Sequence, residues 1–432
     1  MKKIPQVPKA SELDHSQVGR LIGDPSKMAE IAEFNSRYLH WDELRYRVPD
    51  GELDSAWVLM KAIRSGTAKH LNICGIDFNY SQIPCFEEYL HRLDLEYEGP
   101  RTIDGADERD SRSISDSSLM EESIASSQME GAGTTREVAK KMLRTGRKPR
   151  DTGEMMIANN YAAMEFLKTK LDEEMSPELI LEMHRVISRG TLSEGSEWEG
   201  RFREDDETVV GDADDADVVF HIPPAHGEVP RMIDELCDFI NGDGDVFVHP
   251  VIKGIIIHFM IGYIHPFVNG NGRLARTLFY WFVMKKGYRI MEYTSVSRIL
   301  RKSQTKYGLA YQYTETDGND LTYFIKFNLE CILKAIDELN GYVRRKELEK
   351  VEILDRISSD PNISYQESAI LKDYSENKGG FTIREISKRY SLSYQTARNY
   401  VGHLCQLGYA KAAGKDRQTV LYVIDLGSGN KG

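Results

Sequence analysis

Apolar positions along the chain recur mostly at helical spacing, and two mostly apolar runs stand out. They cover residues 251–264 and 278–284 and are long enough to belong to helices packed in a core. Pro266 disfavours helical geometry at the residue before it, so the first helix should end near His265. The second helix should start near Asn271. The pattern therefore predicts two buried helices joined by a short loop.

The same spacing predicts further helices on both sides of this pair. Two of them begin with a capping side chain and a first-turn proline, at residues 24–25 and 176–177. The predicted helices cover residues 25–46, 53–65, 119–129, 154–170, 177–189, 228–241, 293–313 and 321–348. Apolar, β-favouring runs predict a strand within residues 70–79 and a hairpin that pairs residues 208–211 with 218–221. We therefore expect a mainly α fold.

The end of the chain shows a different succession of elements. Residues 381–390 predict a short helix in which Thr382 and Glu385 form a capping box. A second helix is expected at residues 394–407, and two strands are expected at residues 409–412 and 419–423. Helix, turn, helix and hairpin in this order resemble the winged helix-turn-helix family.

The length of 432 residues exceeds what one compact core usually holds, so we expect several domains. An N-terminal helical module is predicted at residues 1–100, with a structural or protein-contact role. A polar linker rich in Ser and Asp follows at residues 101–118. A helical core is predicted at residues 119–348 and the winged helix at residues 349–426.

The net charge of −12 argues against general binding of nucleic acid or anionic membrane by the whole chain. Residues 378–417 differ, because Lys and Arg outnumber Asp and Glu there by six. The candidate phosphate contacts in this region are Arg398, Lys411, Lys415 and Arg417. DNA is therefore one predicted partner of the winged helix. Protein contact, including a homodimer, is the alternative that the sequence leaves open.

The cysteines indicate a reducing compartment. There are five, scattered and without a Cys-x-x-Cys pair, which argues against disulfides and structural zinc. The N-terminus has no apolar segment typical of a signal peptide, and the longest apolar run, residues 254–264, is too short to span a membrane. We expect a cytoplasmic protein without a membrane partner.

The loop between the two buried helices carries the clearest candidate chemistry. Residues 265–276 read His-Pro-Phe-Val-Asn-Gly-Asn-Gly-Arg-Leu-Ala-Arg. Glycines let backbone N–H groups converge, and a helix N-terminus adds partial positive charge, so the loop is suited to bind an anion. Arg273 and Arg276 lie three residues apart and bring full charges to one face of the second helix. His265 would face an anion site of phosphate size.

This stretch resembles the signature of the Fic family, His-Pro-Phe-x-(Asp/Glu)-Gly-Asn-Gly-Arg-x-x-Arg. Asn269 is the one departure, because it stands where an acidic residue is usual. The resemblance covers roughly residues 115–345 and implies a Fic helical bundle with a small β-hairpin called the flap. It also implies transfer of AMP from ATP to a protein hydroxyl, with Mg²⁺ as cofactor.

The resemblance assigns roles to the loop residues. His265 would be the general base that takes the proton from a target Ser, Thr or Tyr as it attacks the α-phosphorus. The residues expected to hold the phosphates are Gly270, Asn271, Gly272, Arg273 and Arg276. Asn269 would replace the acid that helps to hold Mg²⁺, with a neutral and weaker oxygen ligand. Another nucleotide or diphosphate-containing donor therefore stays open.

A second segment resembles the inhibitory motif of the same family, Ser/Thr-x-x-x-Glu-Gly/Asn. It comprises Ser126, Glu130 and Gly131 at the end of the helix predicted at residues 119–129. The resemblance implies that Glu130 pairs with Arg276 and blocks the γ-phosphate position on the same chain. The alternative is an ordinary amphipathic helix that ends at a glycine.

The flap is expected to lie over the site. By resemblance, its nucleotide- and target-facing residues are Val218, Val219, Phe220 and His221. Tyr307 and Tyr311 are candidates for an adenine pocket, although residues at this spacing often belong to a core. Two alternatives to AMP transfer remain at this stage. One is a DNA-binding regulator whose core senses nucleotide, and the other is removal of AMP from a modified protein.

Overall fold

The computed structural model describes residues 2–97, 99, 108–211, 215, 218–242, 244, 246–374, 380–416 and 419–424. The chain divides into two compact units, Met1–Leu339 and Asn340–Gly432. The first unit contains both the N-terminal module and most of the helical core, which we had predicted as separate domains. The division between the units lies at residue 340, a few residues before the predicted boundary at 349.

The described residues are mainly helical, as predicted. Their α-helices are α1 Val18–Gly23, α2 Pro25–Ser36, α3 Trp41–Leu44, α4 Asp50–Ser65, α5 Pro84–Leu95, α6 Glu108–Met129, α7 Arg136–Thr145, α8 Thr152–Lys168, α9 Pro177–Ser188, α10 Val229–Asn241, α11 Pro250–Ile264, α12 Asn271–Lys285, α13 Val296–Lys302, α14 Gln304–Thr316, α15 Thr322–Ser359, α16 Tyr365–Tyr374, α17 Ile383–Arg389 and α18 Tyr394–Gln406. The strands are β1 Ala68–Ile73, β2 Ile76–Ser81, β3 Val210–Gly211, β4 Val219–His221, β5 Ala410–Asp416 and β6 Thr419–Ile424. They form three antiparallel pairs, each of consecutive strands.

Several predicted boundaries were wrong. The linker expected at residues 101–118 is helical from Glu108 onward, where it continues into the predicted helix as α6; residues 101–107 lie outside the described residues. The single strand expected within residues 70–79 is a hairpin. Cys74 and Gly75 form its turn with φ of 55° and 72°, the conformation that reverses a two-residue hairpin.

The two apolar runs form the centre of the first unit. Almost every residue of α11 is buried, and α11 packs against α12, which also contacts α6, α8 and α9. A helix that is largely apolar on all sides has to be surrounded by other elements, and the burial of α11 shows that it is surrounded in this way. Phe267 in the connecting loop and Trp281 in α12 are fully buried. The loop is therefore fixed at both ends by the most buried helices of the unit.

The N-terminal module has its own apolar cluster around Trp57, which is 1% exposed. Buried polar contacts join the module to the start of α15 and to the residues just before it. The Tyr38 hydroxyl donates to Asp320 Oδ2 over 2.7 Å, and Arg64 Nη1 donates to the Tyr323 hydroxyl over 2.8 Å. These contacts explain why the predicted module belongs to the same compact unit as the core.

The second unit contains the predicted helix-turn-helix and hairpin. Thr382 and Glu385 form the expected capping box at the start of α17. Phe381 bridges to Tyr422 in β6, and its ring is fully buried with residues of α16, α17 and α18. Sequence analysis missed α16. The assignment to the winged-helix family stays a prediction, and Arg417 lies outside the described residues.

Among the helices of the described residues, none combines the length and the apolar character that a bilayer crossing requires.

Candidate active site

The loop between α11 and α12 turns sharply and is held by its own side chains. His265 ends α11 in the left-handed conformation, with φ 48° and ψ 58°. Asn271 is 2% exposed; its Oδ1 accepts the Phe267 N–H over 3.0 Å, and its Nδ2 donates to the Phe267 carbonyl over 2.7 Å. The Asn271 side chain thus fixes the loop backbone.

His184 in α9 holds the loop at the residue before its first glycine. The sequence analysis did not identify this histidine. Its Nε2 lies 2.9 Å from the Asn269 carbonyl, and its Nδ1 accepts the Gly200 N–H over 3.0 Å. Burial lowers the pKa of His184 to about 4. A neutral ring with one donor and one acceptor fits both bonds. The ring also stacks on Phe267 with centroids 3.6 Å apart.

Arg203 is a second support that the sequence did not reveal. It is 2% exposed, and its Nε donates to the His265 carbonyl over 3.0 Å. Its backbone N–H donates to the Pro266 carbonyl over 2.9 Å, and its Nη2 donates to the Pro224 carbonyl. Arg203 therefore connects the loop to the chain that follows the flap. Residues 199–203 carry no pattern that distinguishes this arginine from a solvated one.

His265 has the tautomer and the protonation state that a general base requires. Its Nδ1 lies 3.3 Å from the Gly262 carbonyl, an acceptor, so Nδ1 carries the proton and Nε2 keeps a free lone pair. Burial, opposed by the Gly262 carbonyl, lowers the pKa of His265 to about 4. The imidazole is therefore neutral near pH 7 and able to accept a proton.

The two arginines of α12 are buried and directed differently. Arg276 is 3% exposed; its Nε donates to Ser126 Oγ over 2.8 Å and its Nη2 to Glu130 Oε1 over 2.8 Å. Arg273 is 1% exposed and donates through Nη1 to the Ile187 carbonyl over 3.0 Å, while its Nε has no hydrogen-bond partner. Burial lowers the pKa of Arg273 to about 10, so it remains charged near pH 7.

Glu130 lies at the N-terminus of α12, as the predicted pairing with Arg276 requires. A Cβ atom at Gly272 would be only 2.9 Å from Glu130 Cδ, so the glycine makes room for the carboxylate. Burial raises the pKa of Glu130, but the cations of Arg276 and Arg273 outweigh it and the net pKa is lowered. An ionised carboxylate thus occupies an anion position at a helix N-terminus. Gly131 follows with φ 93° and ends the segment.

A cavity of about 220 Å³ opens beside these groups. The residues that contribute to its wall include Glu130, His265, Asn271, Gly272, Arg276, Tyr307 and Tyr311. The Tyr307 hydroxyl lies 2.8 Å from His258 Nε2, so its ring is fixed in place. The apolar ring faces and the nearby cations make the cavity suitable for a nucleotide.

The flap is present as the hairpin of β3 and β4. Val210 pairs with His221 and Gly211 with Val219, with an irregular register between the two pairs. Phe220 and His221 line the cavity, whereas Val218 and Val219 belong to the hairpin without lining it. His221 Nδ1 lies 2.8 Å from Glu315 Oε2, and Nε2 lies 2.7 Å from the Tyr263 carbonyl. His221 therefore attaches the flap to α14 and to the end of α11.

Asn269 does not form a protein-held metal site. Its side chain is exposed, and its Oδ1 accepts the Gly270 N–H over 2.7 Å. Within the described residues, no group of three or more His, Cys, Asp or Glu side chains is arranged to hold a metal. One neutral amide oxygen without a carboxylate is a poor site for Mg²⁺.

Comparison with known proteins agrees with this geometry. A model of the Fic/DOC family matches residues 174–283, which include His184, the flap and the loop with both arginines. The chain contains a Fic domain. The helix α6 and Glu130, which directly follows it, lie outside the matched residues.

Curated relatives of the Fic domain are named protein adenylyltransferase Fic. The protein of Drosophila willistoni is 27% identical over 179 residues, which are 40% of this chain and 32% of the relative. The protein of Drosophila melanogaster is 27% identical over 231 residues, which are 50% of this chain and 42% of the relative. The chain thus spans less than half the length of these relatives.

Two solved structures share the fold. A Fic family protein from Desulfovibrio desulfuricans G20 aligns with a TM-score of 0.54 at 19% identity, over 82% of this chain and 99% of that one. Fic-1 from C. elegans aligns with a TM-score of 0.52 at 18% identity, over 74% of this chain and 86% of that one. At these identities the likeness supports the helical fold.

Proposed function

We propose that the Fic domain transfers AMP from ATP to a Ser, Thr or Tyr hydroxyl of a protein. One observation carries the proposal: a neutral His265, whose Nδ1 faces the Gly262 carbonyl, lines the same cavity as the anion site formed by Gly272 and Arg276 at the start of α12. The names of the curated relatives support the same reaction.

The mechanism follows from the placement of these groups. His265 Nε2 takes the proton of the target hydroxyl as its oxygen bonds to the α-phosphorus of ATP. The bond from the α-phosphorus to the bridging oxygen breaks, and pyrophosphate leaves. The N–H groups at the start of α12 and the guanidinium groups of Arg273 and Arg276 stabilise the negative charge on the phosphates.

We further propose that Glu130 inhibits this reaction on the same chain. Its carboxylate lies 2.8 Å from Arg276 Nη2 and therefore takes the position that a terminal phosphate of ATP would need. Productive ATP binding has to displace Glu130, because two anions in this position repel each other. Ser126 in α6 holds Arg276, and Glu130 directly follows the last residue of α6, so one short segment supplies both the blocking group and its anchor.

Magnesium would accompany the nucleotide phosphates, with Asn269 as the candidate protein ligand. We assign no step to the ion, because within the described residues no group of three or more His, Cys, Asp or Glu side chains is arranged to hold it. Because Asn269 stands where the family signature has an acidic residue, a nucleotide donor other than ATP remains the alternative substrate.

The test is incubation of wild type and Glu130→Gly with labelled ATP and Mg²⁺, followed by intact-mass measurement. We expect AMP on the variant and little on the wild type. Glu137→Gly, which removes an exposed glutamate of α7, is the matched control and should resemble the wild type. AMP on neither protein would contradict transfer from ATP, and equal labelling of both would contradict inhibition by Glu130.

The second unit favours a further candidate function, binding of duplex DNA. The exposed face of α18 carries Gln395, Arg398 and Asn399, and α18 contains no acidic residue. These side chains are typical of those that contact base edges in the major groove. Arg398→Ala should weaken binding to a selected duplex and reduce its salt dependence. Binding that is unaffected would favour protein contact or dimerisation through this unit instead.

A further inference from the structure

A strongly basic segment follows the inhibitory helix and has no part in the proposed reaction. Between residues 136 and 150, seven residues are Lys or Arg and one is acidic, in a chain with a net charge of −12. The segment comprises α7 and the loop that leads to α8.

Ion pairs within the fold account for three of these cations. Arg136 Nε donates to Glu121 Oε2 over 2.8 Å, and Lys140 also pairs with Glu121. Arg147 Nη2 lies 2.7 Å from Glu154 Oε1. These pairs attach α7 to α6 and the following loop to α8.

Four cations remain. Arg150 lies beside Glu154, to which its backbone N–H donates over 2.7 Å. The other three have no such explanation. Lys141, Arg144 and Lys148 are exposed, and none of them forms an ion pair with another residue in the described part of the chain. Lys141 and Arg144 are three residues apart and share one face of α7. Val138, three residues before Lys141, is 45% exposed. We call Val138, Lys141, Arg144 and Lys148 the α7 patch.

We propose that the α7 patch is a docking surface for an acidic polypeptide segment. Unpaired cations favour an anionic partner, because complementary charge steers association and fixes register. Val138 adds an apolar contact that a peptide side chain is able to cover. This binding function goes beyond adenylyl transfer and does not depend on it.

The composition of the patch favours polypeptide over nucleic acid. The patch has no Asn or Gln to read base edges and no aromatic ring to stack on bases. Carboxylates spaced by apolar side chains match both the cations and Val138.

The experiment measures binding of a short fluorescent poly-L-glutamate to the full chain by anisotropy, without ATP. Acetylation of lysines followed by mass spectrometry locates the bound probe. We expect salt-sensitive binding that protects Lys141 and Lys148. Lys141→Glu/Arg144→Glu should weaken binding about tenfold, since it replaces attraction with repulsion at two positions. Lys9→Glu/Arg20→Glu changes the net charge equally at exposed positions in the N-terminal module and should bind like the wild type.

Several outcomes would overturn the proposal. The first is no binding of poly-L-glutamate at physiological salt. The second is an equal loss of affinity in both double variants. The third is protection from acetylation at lysines other than Lys141 and Lys148 only. Duplex DNA that protects Lys141 and Lys148 more strongly than poly-L-glutamate would replace the polypeptide with nucleic acid. Unchanged melting temperatures show that the variants fold. Because ATP is absent, failure here leaves adenylyl transfer untouched, and failure of transfer leaves docking untouched.

Discussion

The loop after α11 and the flap meet at the same cavity but are held very differently. In the loop, the carbonyl groups of His265, Pro266 and Asn269 bond to Arg203 or His184, which lie outside the loop. The Phe267 carbonyl accepts from Asn271 within it. The flap has two backbone pairs, and the adjoining Ile222 and Val209 are 73% and 44% exposed. His221 is its principal attachment to the core.

We propose that this difference separates a loop that performs the chemistry from a flap that binds the target. Positions that hold phosphates and move a proton have to be fixed before the reaction, because small displacements are costly in rate. A strand that pairs with varied targets benefits from an exposed edge. We therefore expect changes in the loop to act on turnover and changes in the flap to act on target binding.

The largest effect should come from His265→Ala in the Glu130→Gly background. Removal of the base should lower the transfer rate by at least about 10²-fold, the usual contribution of a general base, while nucleotide affinity is retained. Rate measurement by AMP incorporation and affinity measurement by calorimetry separate the two. Undiminished transfer would show that His265 is not the base.

A comparable test of loop rigidity is Asn271→Ala. The change leaves the Phe267 N–H and carbonyl without their buried partners, at a cost of about 1–3 kcal/mol for each unsatisfied group. We expect a lower melting temperature and a rate reduced by about 10²-fold. A variant with normal stability and normal rate would remove the distinction between a fixed loop and an adjustable flap.

The pH dependence provides a third test. Because burial lowers the pKa of His265 to about 4, the neutral base is present throughout the range above that value. The Glu130 carboxylate raises the pKa of His265, so its removal should lower that pKa further. Transfer by Glu130→Gly should therefore stay constant from about pH 8 to pH 5 and fall only at or below about pH 4, instead of near the ordinary histidine value of about 6.5. A profile of initial rates that halves near pH 6.5 would contradict the buried base.

A smaller effect is expected from Asn269→Asp. A carboxylate is a stronger ligand for Mg²⁺ than an amide, so less metal should be needed for half-maximal transfer. The Glu130→Gly protein with and without this change is titrated with Mg²⁺ at fixed ATP. Coincident titration curves would exclude position 269 as a metal contact.

The smallest effect on stability should come from Ile222→Ser in the flap. This side chain is 73% exposed, so unfolding free energy should change by no more than about 0.5 kcal/mol. Labelling of a protein target should require a higher target concentration, with little change in maximal rate. If the maximal rate changed while the affinity for the target stayed normal, Ile222 would act on the catalytic step instead of on target binding.

Local patterns were sufficient for most elements and for the residues that carry charge. Pro266 correctly predicted the end of α11, and the capping residues at Asp24, Ser176 and Thr382 correctly predicted helix starts. These signals act over one turn of chain. The polar start of α6 was misassigned as a linker, because its helical form depends on contacts with distant residues, such as the Ser118 hydroxyl on the Tyr293 carbonyl at 2.7 Å.

The sequence by itself determined the reactive loop, since the histidine, the glycines and both arginines lie within twelve consecutive residues. The pairing of Glu130 with Arg276 was anticipated only through resemblance. Tertiary structure alone decided which residues hold the loop in place. His184 and Arg203 contact the loop from 85 and 62 residues away along the chain. A local sequence pattern cannot predict contacts over such separations. Tertiary structure also gave His265 its neutral form, because burial is a property of the packed core.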